Sequence, residues 1–103
     1  MKFQSLDSYR TTLKVIEPFI NKTPIITSNT FNNEFNLDIF FKLELFQKTG
    51  SFKVRGAVNK ILSLTNNEKK RGVIAISAGN HAQATSWTCS KFGIKSTIVM
   101  PYG

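Results

Sequence analysis

An α/β fold, a parallel sheet built from βαβ units, is what this sequence predicts, and three observations carry that reading. Val73-Ile74-Ala75-Ile76 is a short unbroken apolar run, the pattern of a strand covered on both faces. Through Ser77-Ala78-Gly79 it leads into a helical pattern that runs from Asn80 to Phe92 and closes at Gly93. Ala82, Ser86 and Cys89 share a face of that helix and are small, which lets it lie close against a sheet. Thr97 to Met100 is then β-branched again and is ended by Pro101. Strand, helix, strand with short connections makes a βαβ unit, whose crossover should be right-handed. With 103 residues, 41% of them hydrophobic, the chain has material for one domain with a small core.

The earlier elements follow from similar patterns. Leu6, Tyr9, Leu13 and Ile16 recur at helical spacing between Ser5 and about Phe19, with Ser5 or Asp7 as N-cap and Pro18 limiting extension. Thr23-Pro24-Ile25-Ile26-Thr27 reads as extended, because Pro24 disfavours a helical Thr23 and β-branched residues follow. Asn29 to Asn36 is polar apart from two phenylalanines and reads as a loop, with room for a short helical turn. Asp38 to Leu43 is a strand candidate. After a Thr49-Gly50-Ser51 turn, Val54, Ala57, Val58, Ile61 and Leu62 mark a helix for which Ser51 is the expected N-cap. Leu64 to Arg71 reads as a solvent-facing connection or short helix.

Composition excludes several function classes. The net charge of +8 is spread along the chain, and its one tight cluster, Lys69-Lys70-Arg71, reads as solvated surface, so no nucleic acid is expected. A positive field instead suits a small ligand bearing phosphate and carboxylate. Cys89 has no disulfide partner and His81 has no ligand cluster around it, so neither a disulfide scaffold nor a metal site is expected. No segment has the length or composition of a membrane span or a signal peptide, and the expected setting is cytoplasmic.

Two places carry candidate chemistry. Lys53 falls in the first turn of its helix, where unpaired N–H groups already place partial positive charge. It is either a plain surface lysine or one kept there for its amine. Gly79 and Asn80 place a helix start directly after a strand, which is either a plain capped turn or a site for a carboxylate or phosphate.

Lys42 to Ala57 resembles the lysine motif of the fold-type II pyridoxal-phosphate (PLP) enzymes, in the branch of threonine dehydratases and serine racemases, whose wording is K-x-E-x-x-Q-x-T-G-S-F-K-x-R-G-A. Every fixed position is present. Ser77-Ala78-Gly79-Asn80-His81 resembles the same family's S-x-G-N-H loop, and the likeness extends from about Thr23 to Met100. It implies pyridoxal 5′-phosphate as cofactor, with Lys53 as the Schiff-base residue and the base for the α-proton, and Phe52 beside the cofactor ring. It also implies that Ser77, Ala78, Gly79, Asn80 and His81 hold the substrate carboxylate, that Asn80 meets the ring oxygen, and that His81 stabilises the loop. The substrate would be a small amino acid, threonine or serine, and the complete enzyme a homo-oligomer.

Cysteine-synthase-type β-replacement enzymes resemble the chain less, since they carry Asn-Thr after the loop glycine and Asp after the lysine, where this chain has Asn80-His81 and Lys53-Val54. In racemase relatives a second serine commonly stands at the position of Ala78, which implies a lyase here. The family's glycine-rich phosphate loop has no counterpart, for the 6 glycines are nowhere adjacent. Residues 1–103 are therefore expected to be an N-terminal fragment of the catalytic domain, short of catalysis alone. A binding fragment that engages an acidic partner through its basic surface is the competing expectation.

Overall fold

The computed structural model describes residues 4–102, and Gly103, where the sequence stops, lies outside them. Helix α1 (Leu6–Ile16) starts as expected, with the Ser5 side chain accepting from the Ser8 N–H at 3.2 Å, and passes into a 3-10 turn at Glu17–Phe19 containing Pro18. Of its apolar stripe only Ile16 is buried, while Leu6, Tyr9 and Leu13 face outward. The extended segment after Pro24 forms β1 (Ile25–Thr27), and Asp38 to Leu43 narrows to β2 (Phe40–Lys42). These two strands pair antiparallel, Ile26 opposite Phe41, so the small sheet at the start of the chain is not parallel. Each strand is too short for periodicity to reveal its direction.

The expected loop at Asn29 to Asn36 is instead a two-turn helix, α2 (Asn29–Phe35). Ser28 caps it, Asn36 ends it in the left-handed conformation (φ 51°), and Phe31 stacks on Phe35 and meets Phe41 edge-on. Polar composition hid a helix held by three aromatic rings.

The second half follows the expected plan. Helix α3 (Lys53–Ser63) is followed by the short α4 (Asn66–Arg71), which opens on a Thr65–Glu68 capping box. Then β3 (Val73–Ile76), α5 (Asn80–Lys91) and β4 (Ser96–Val99) form the βαβ unit, with β3 and β4 parallel and Ala75 opposite Ile98. The core lies between helices: Ile16, Val54, Ala57, Val58 and Ala84 form one cluster, and Ile61, Cys89 and Ile94 another. Complete burial of Val54 and Val58 stabilises the fold by about 1.5–3 kcal/mol each. Expectation fails in one respect, because β3 is covered on one face only. Ala75 is buried, whereas Ile74 and Ile76 are 73% and 78% exposed.

Gly72 turns the chain from α4 into β3 at φ +87°, and a Cβ there would lie 2.8 Å from the Lys95 carbonyl oxygen. Gly56, inside α3, has open space where a Cβ would go. Substitution to alanine should therefore act in opposite directions. Gly72→Ala should destabilise by about 1–3 kcal/mol and Gly56→Ala should stabilise by about 0.5–1 kcal/mol, as read from denaturant midpoints.

Candidate active site

Four fixed polar residues of the Lys42–Ala57 motif, Lys42, Glu44, Gln47 and Arg55, hold side-chain partners. Glu44 accepts both arms of the Arg55 guanidinium, from Nε at 2.8 Å and Nη2 at 2.7 Å. The Thr23 hydroxyl donates to Glu44 Oε1 at 2.5 Å and lies 3.4 Å from Arg55 Nη2. Lys42 Nζ donates to the Thr23 carbonyl at 2.6 Å. One step further on, Gln47 exchanges two bonds with the Asn21 backbone, accepting from its N–H at 2.8 Å and donating to its carbonyl at 2.9 Å. These bonds tie both sides of the Thr49-Gly50-Ser51 turn to the segment from Asn21 to Thr23. Gly50 completes the turn at φ +69°, with its N–H donating to the Gln47 carbonyl.

The turn delivers Lys53 to the first position of α3, as expected, but Ser51 is not the cap. Phe52 occupies the cap position without a side-chain bond, and Ser51 is buried with its hydroxyl unpartnered among the described residues. The helix starts one residue too late for the Ser51 hydroxyl to reach its free N–H groups. Lys53 is exposed, its Nζ lies 5.1 Å from the centroid of the Phe52 ring, and among the described residues no carboxylate pairs with it.

Lys53 and His81 line one cleft of about 340 Å³, near the lower end of the roughly 300–1,000 Å³ typical of small-molecule sites. Its walls are α3, β3 and the start of α5; Lys60 adds a second amine, and no acidic side chain contributes. Ser77, Ala78, Gly79 and Asn80 precede His81 but do not line the cleft, and Ala78, Gly79 and Asn80 are exposed. Ser77 Oγ accepts from the Gly79 N–H at 3.2 Å, which shapes the loop. No side chain caps α5, whereas Ser5, Ser28 and Thr65 cap α1, α2 and α4. The first N–H groups of α5 thus keep their capacity for an anion. A larger hollow of about 440 Å³ lies beside α1 and includes Lys22, Lys42 and Arg55, but Glu17 also lines it, and Lys42 and Arg55 already hold partners inside the chain.

Sequence reasoning missed Glu44, Arg55, Thr23 and Gln47 as a connected set. The signal available was the set of charged and amide residues fixed in the motif although they carry no chemistry themselves. Burial of the Cys89 thiol pushes its pKa up, which marks it as core and not as a reactive group.

A lysine amine at the head of α3 and the uncapped start of α5, beside a cleft lined by no carboxylate among the described residues, suit a phosphorylated aldehyde carried on a lysine. The donor set thus fits pyridoxal 5′-phosphate, and the fold is that of the α/β class of PLP-dependent enzymes. Residues 16–103 match the family described as pyridoxal-phosphate dependent enzyme, and the chain belongs to that family. It is 49% identical over 86 residues to the serine racemase of Schizosaccharomyces pombe, covering 84% of this chain and 27% of that one. To the catabolic L-threonine dehydratase of Escherichia coli K12 it is 52% identical over 84 residues, covering 82% and 26%. The crystal structure of serine racemase from Dictyostelium discoideum superposes with a TM-score of 0.88 at 42% identity, covering 94% of this chain and 32% of that one. The chain therefore spans about a quarter of the length of the curated relatives it matches. No helix among the described residues is long and apolar enough to cross a membrane.

The Arg55 guanidinium, then the Thr23 hydroxyl and the charge of Lys42, hold the Glu44 carboxyl at about 2 against an ordinary 4.5, with partial burial opposing them. A carboxylate depressed in the folded state stabilises it fully above its ordinary pKa, and that contribution is lost as pH falls through the folded value. Unfolding free energy should therefore fall more steeply between about pH 4.5 and 2 in the unsubstituted protein than in Glu44→Gln. At neutral pH the variant should be less stable by about 1.5–3 kcal/mol.

Proposed function

We propose that this chain is the N-terminal part of a PLP-dependent ammonia-lyase that eliminates water from L-threonine or L-serine to give a 2-oxo acid and ammonia. The observation that carries the reading is the shared cleft of Lys53 and His81, free of acidic side chains and next to the uncapped start of α5. When bound, the cofactor supplies an electron-withdrawing ring that stabilises negative charge at the substrate Cα.

The rest falls to this chain's own groups. Lys53 Nζ, in its unprotonated form, would hold the cofactor, and its freed amine would take the proton from the substrate Cα. The start of α5 binds the substrate carboxylate through backbone N–H groups of the Ser77-Ala78-Gly79-Asn80-His81 loop. Asn80 and Phe52 would help to hold the cofactor, and the His81 side chain would steady the loop. Loss of the β-hydroxyl as water and later addition of water complete the balance. The same reading has the complete enzyme as a cytoplasmic homo-oligomer with a small amino acid as its only substrate-class partner.

Similarity to serine racemases supports a second outcome at the same site, and Ala78 favours the lyase. Racemisation needs a proton donor on the ring face opposite the lysine, whereas elimination needs one base and help for the leaving hydroxyl. Ala78 has no proton to give. With L-serine, the complete enzyme should form pyruvate faster than D-serine, and Ala78→Ser should raise the ratio of D-serine to pyruvate by at least about tenfold. Chiral analysis of the remaining serine beside 2-oxo acid assay decides this, and D-serine forming faster than pyruvate in the unsubstituted enzyme would overturn the lyase reading.

A further inference from the structure

We propose that Glu44, Arg55 and Thr23 are positioning residues: their clasp fixes the rotation of the first turn of α3 and thereby aims Lys53 into the cleft. The inference rests on the reading of Lys53 as the cofactor's anchor.

The start of α3 has no local device to hold it, since Phe52 makes no side-chain cap bond and the Ser51 hydroxyl finds no partner. Arg55 supplies the missing fixed point. It follows Lys53 by two positions, so the two side chains leave the helix about 200° apart. One faces the cleft with His81 while the other faces Glu44 and Thr23. Any rotation that swung Lys53 out of the cleft would have to break the two-armed bond from Arg55 to Glu44.

That bond resists. Its geometry is a planar fork on a planar carboxylate, at 2.7 and 2.8 Å, with Arg55 27% and Glu44 18% exposed. A lysine could replace the charge of Arg55 but not the fork. The clasp also reaches beyond the turn. Glu44 lies 11 residues from Arg55, so their bond closes the loop that contains the Thr49-Gly50-Ser51 turn, and Thr23 ties that closed loop to a segment 32 residues from Arg55. Buried Val54, Val58 and Ile61 hold the helix axis independently, so loss of the clasp should loosen the first turn without unfolding the domain.

The test uses Glu44→Gln and Arg55→Lys in the complete enzyme, with Thr65→Ala, which removes the capping box of α4, as a destabilised control away from the cleft. In the cofactor-free protein, hydrogen exchange at the amides of residues 55–57 should quicken by about tenfold in both clasp variants, while those of residues 84–89 in α5 stay unchanged. In the loaded enzyme kcat should fall about tenfold to a hundredfold, with KM for the amino acid within about twofold. Thr65→Ala should lose stability yet keep its kcat. Borohydride reduction with PLP should label Lys53 in the unsubstituted protein and label it more slowly in the clasp variants. Unchanged exchange at residues 55–57, equal acceleration in α5, or full kcat in both variants would overturn the proposal. Lys53 left unlabelled in the unsubstituted protein would overturn the functional reading itself, a result distinct from slowed labelling in the variants alone.

Discussion

The two-armed bond between Arg55 and Glu44 is the constraint on which the rest of this structure depends. Glu44 sits just after β2, Arg55 in the first turn of α3, and Thr23 just before β1, so one carboxylate joins the antiparallel pair to the helix that opens the second half. A partly buried carboxylate is costly to desolvate, and it is retained here because three donors converge on or beside it: Arg55, the Thr23 hydroxyl and, through the Thr23 carbonyl, Lys42. Removing Glu44 would leave the Arg55 fork and the Thr23 hydroxyl without their acceptor, and removing Arg55 would strip the partly buried carboxylate of its two-armed donor. Gln47 extends the same logic to Asn21 with amide groups in place of charges.

Against that fixed frame the two helices of the candidate site differ from the others at their beginnings. Capped helices spend their first N–H groups on their own side chains; α3 and α5 do not. Both uncapped starts carry partial positive charge, and the cleft between α3, β3 and α5 adds the amines of Lys53 and Lys60 with no acid among the described residues lining it. Such a field favours an anionic ligand, which agrees with a phosphorylated cofactor and a carboxylate substrate. The same cost in stability that an uncapped helix start imposes is borne by burial of Val54, Val58, Ala84 and Cys89 behind it.

Much of this was readable from residue order, and the exceptions have physical causes. The βαβ unit is legible because an unbroken apolar run, a small-residue helix face and a β-branched run each carry a period or a length of their own. Lys53 at a helix start is legible from the turn residues before it. Ser51 as a cap is not, because one residue of backbone offset decides which side chain reaches the free N–H groups. Helix α2 was hidden by asparagines: Phe31 and Phe35 pair one turn apart within it, but the contact that docks it, Phe31 on Phe41, forms only once β2 is in place. The pairing of β1 with β2 was hidden by strand length, and the outward face of Ile74 and Ile76 by a run that looks alike whether one face is covered or two. The clasp spans residues 23 to 55 and has no periodicity, so only the motif as a whole pointed toward it.

The account stands on Lys53 as the group that takes the cofactor, and the visible absorption spectrum of the purified complete enzyme tests this most directly. In an amine-free buffer with PLP, the unsubstituted protein should show the long-wavelength band of a lysine-bound cofactor, and Lys53→Ala should lack it. A band retained in Lys53→Ala, or absent from the unsubstituted protein, would contradict the account.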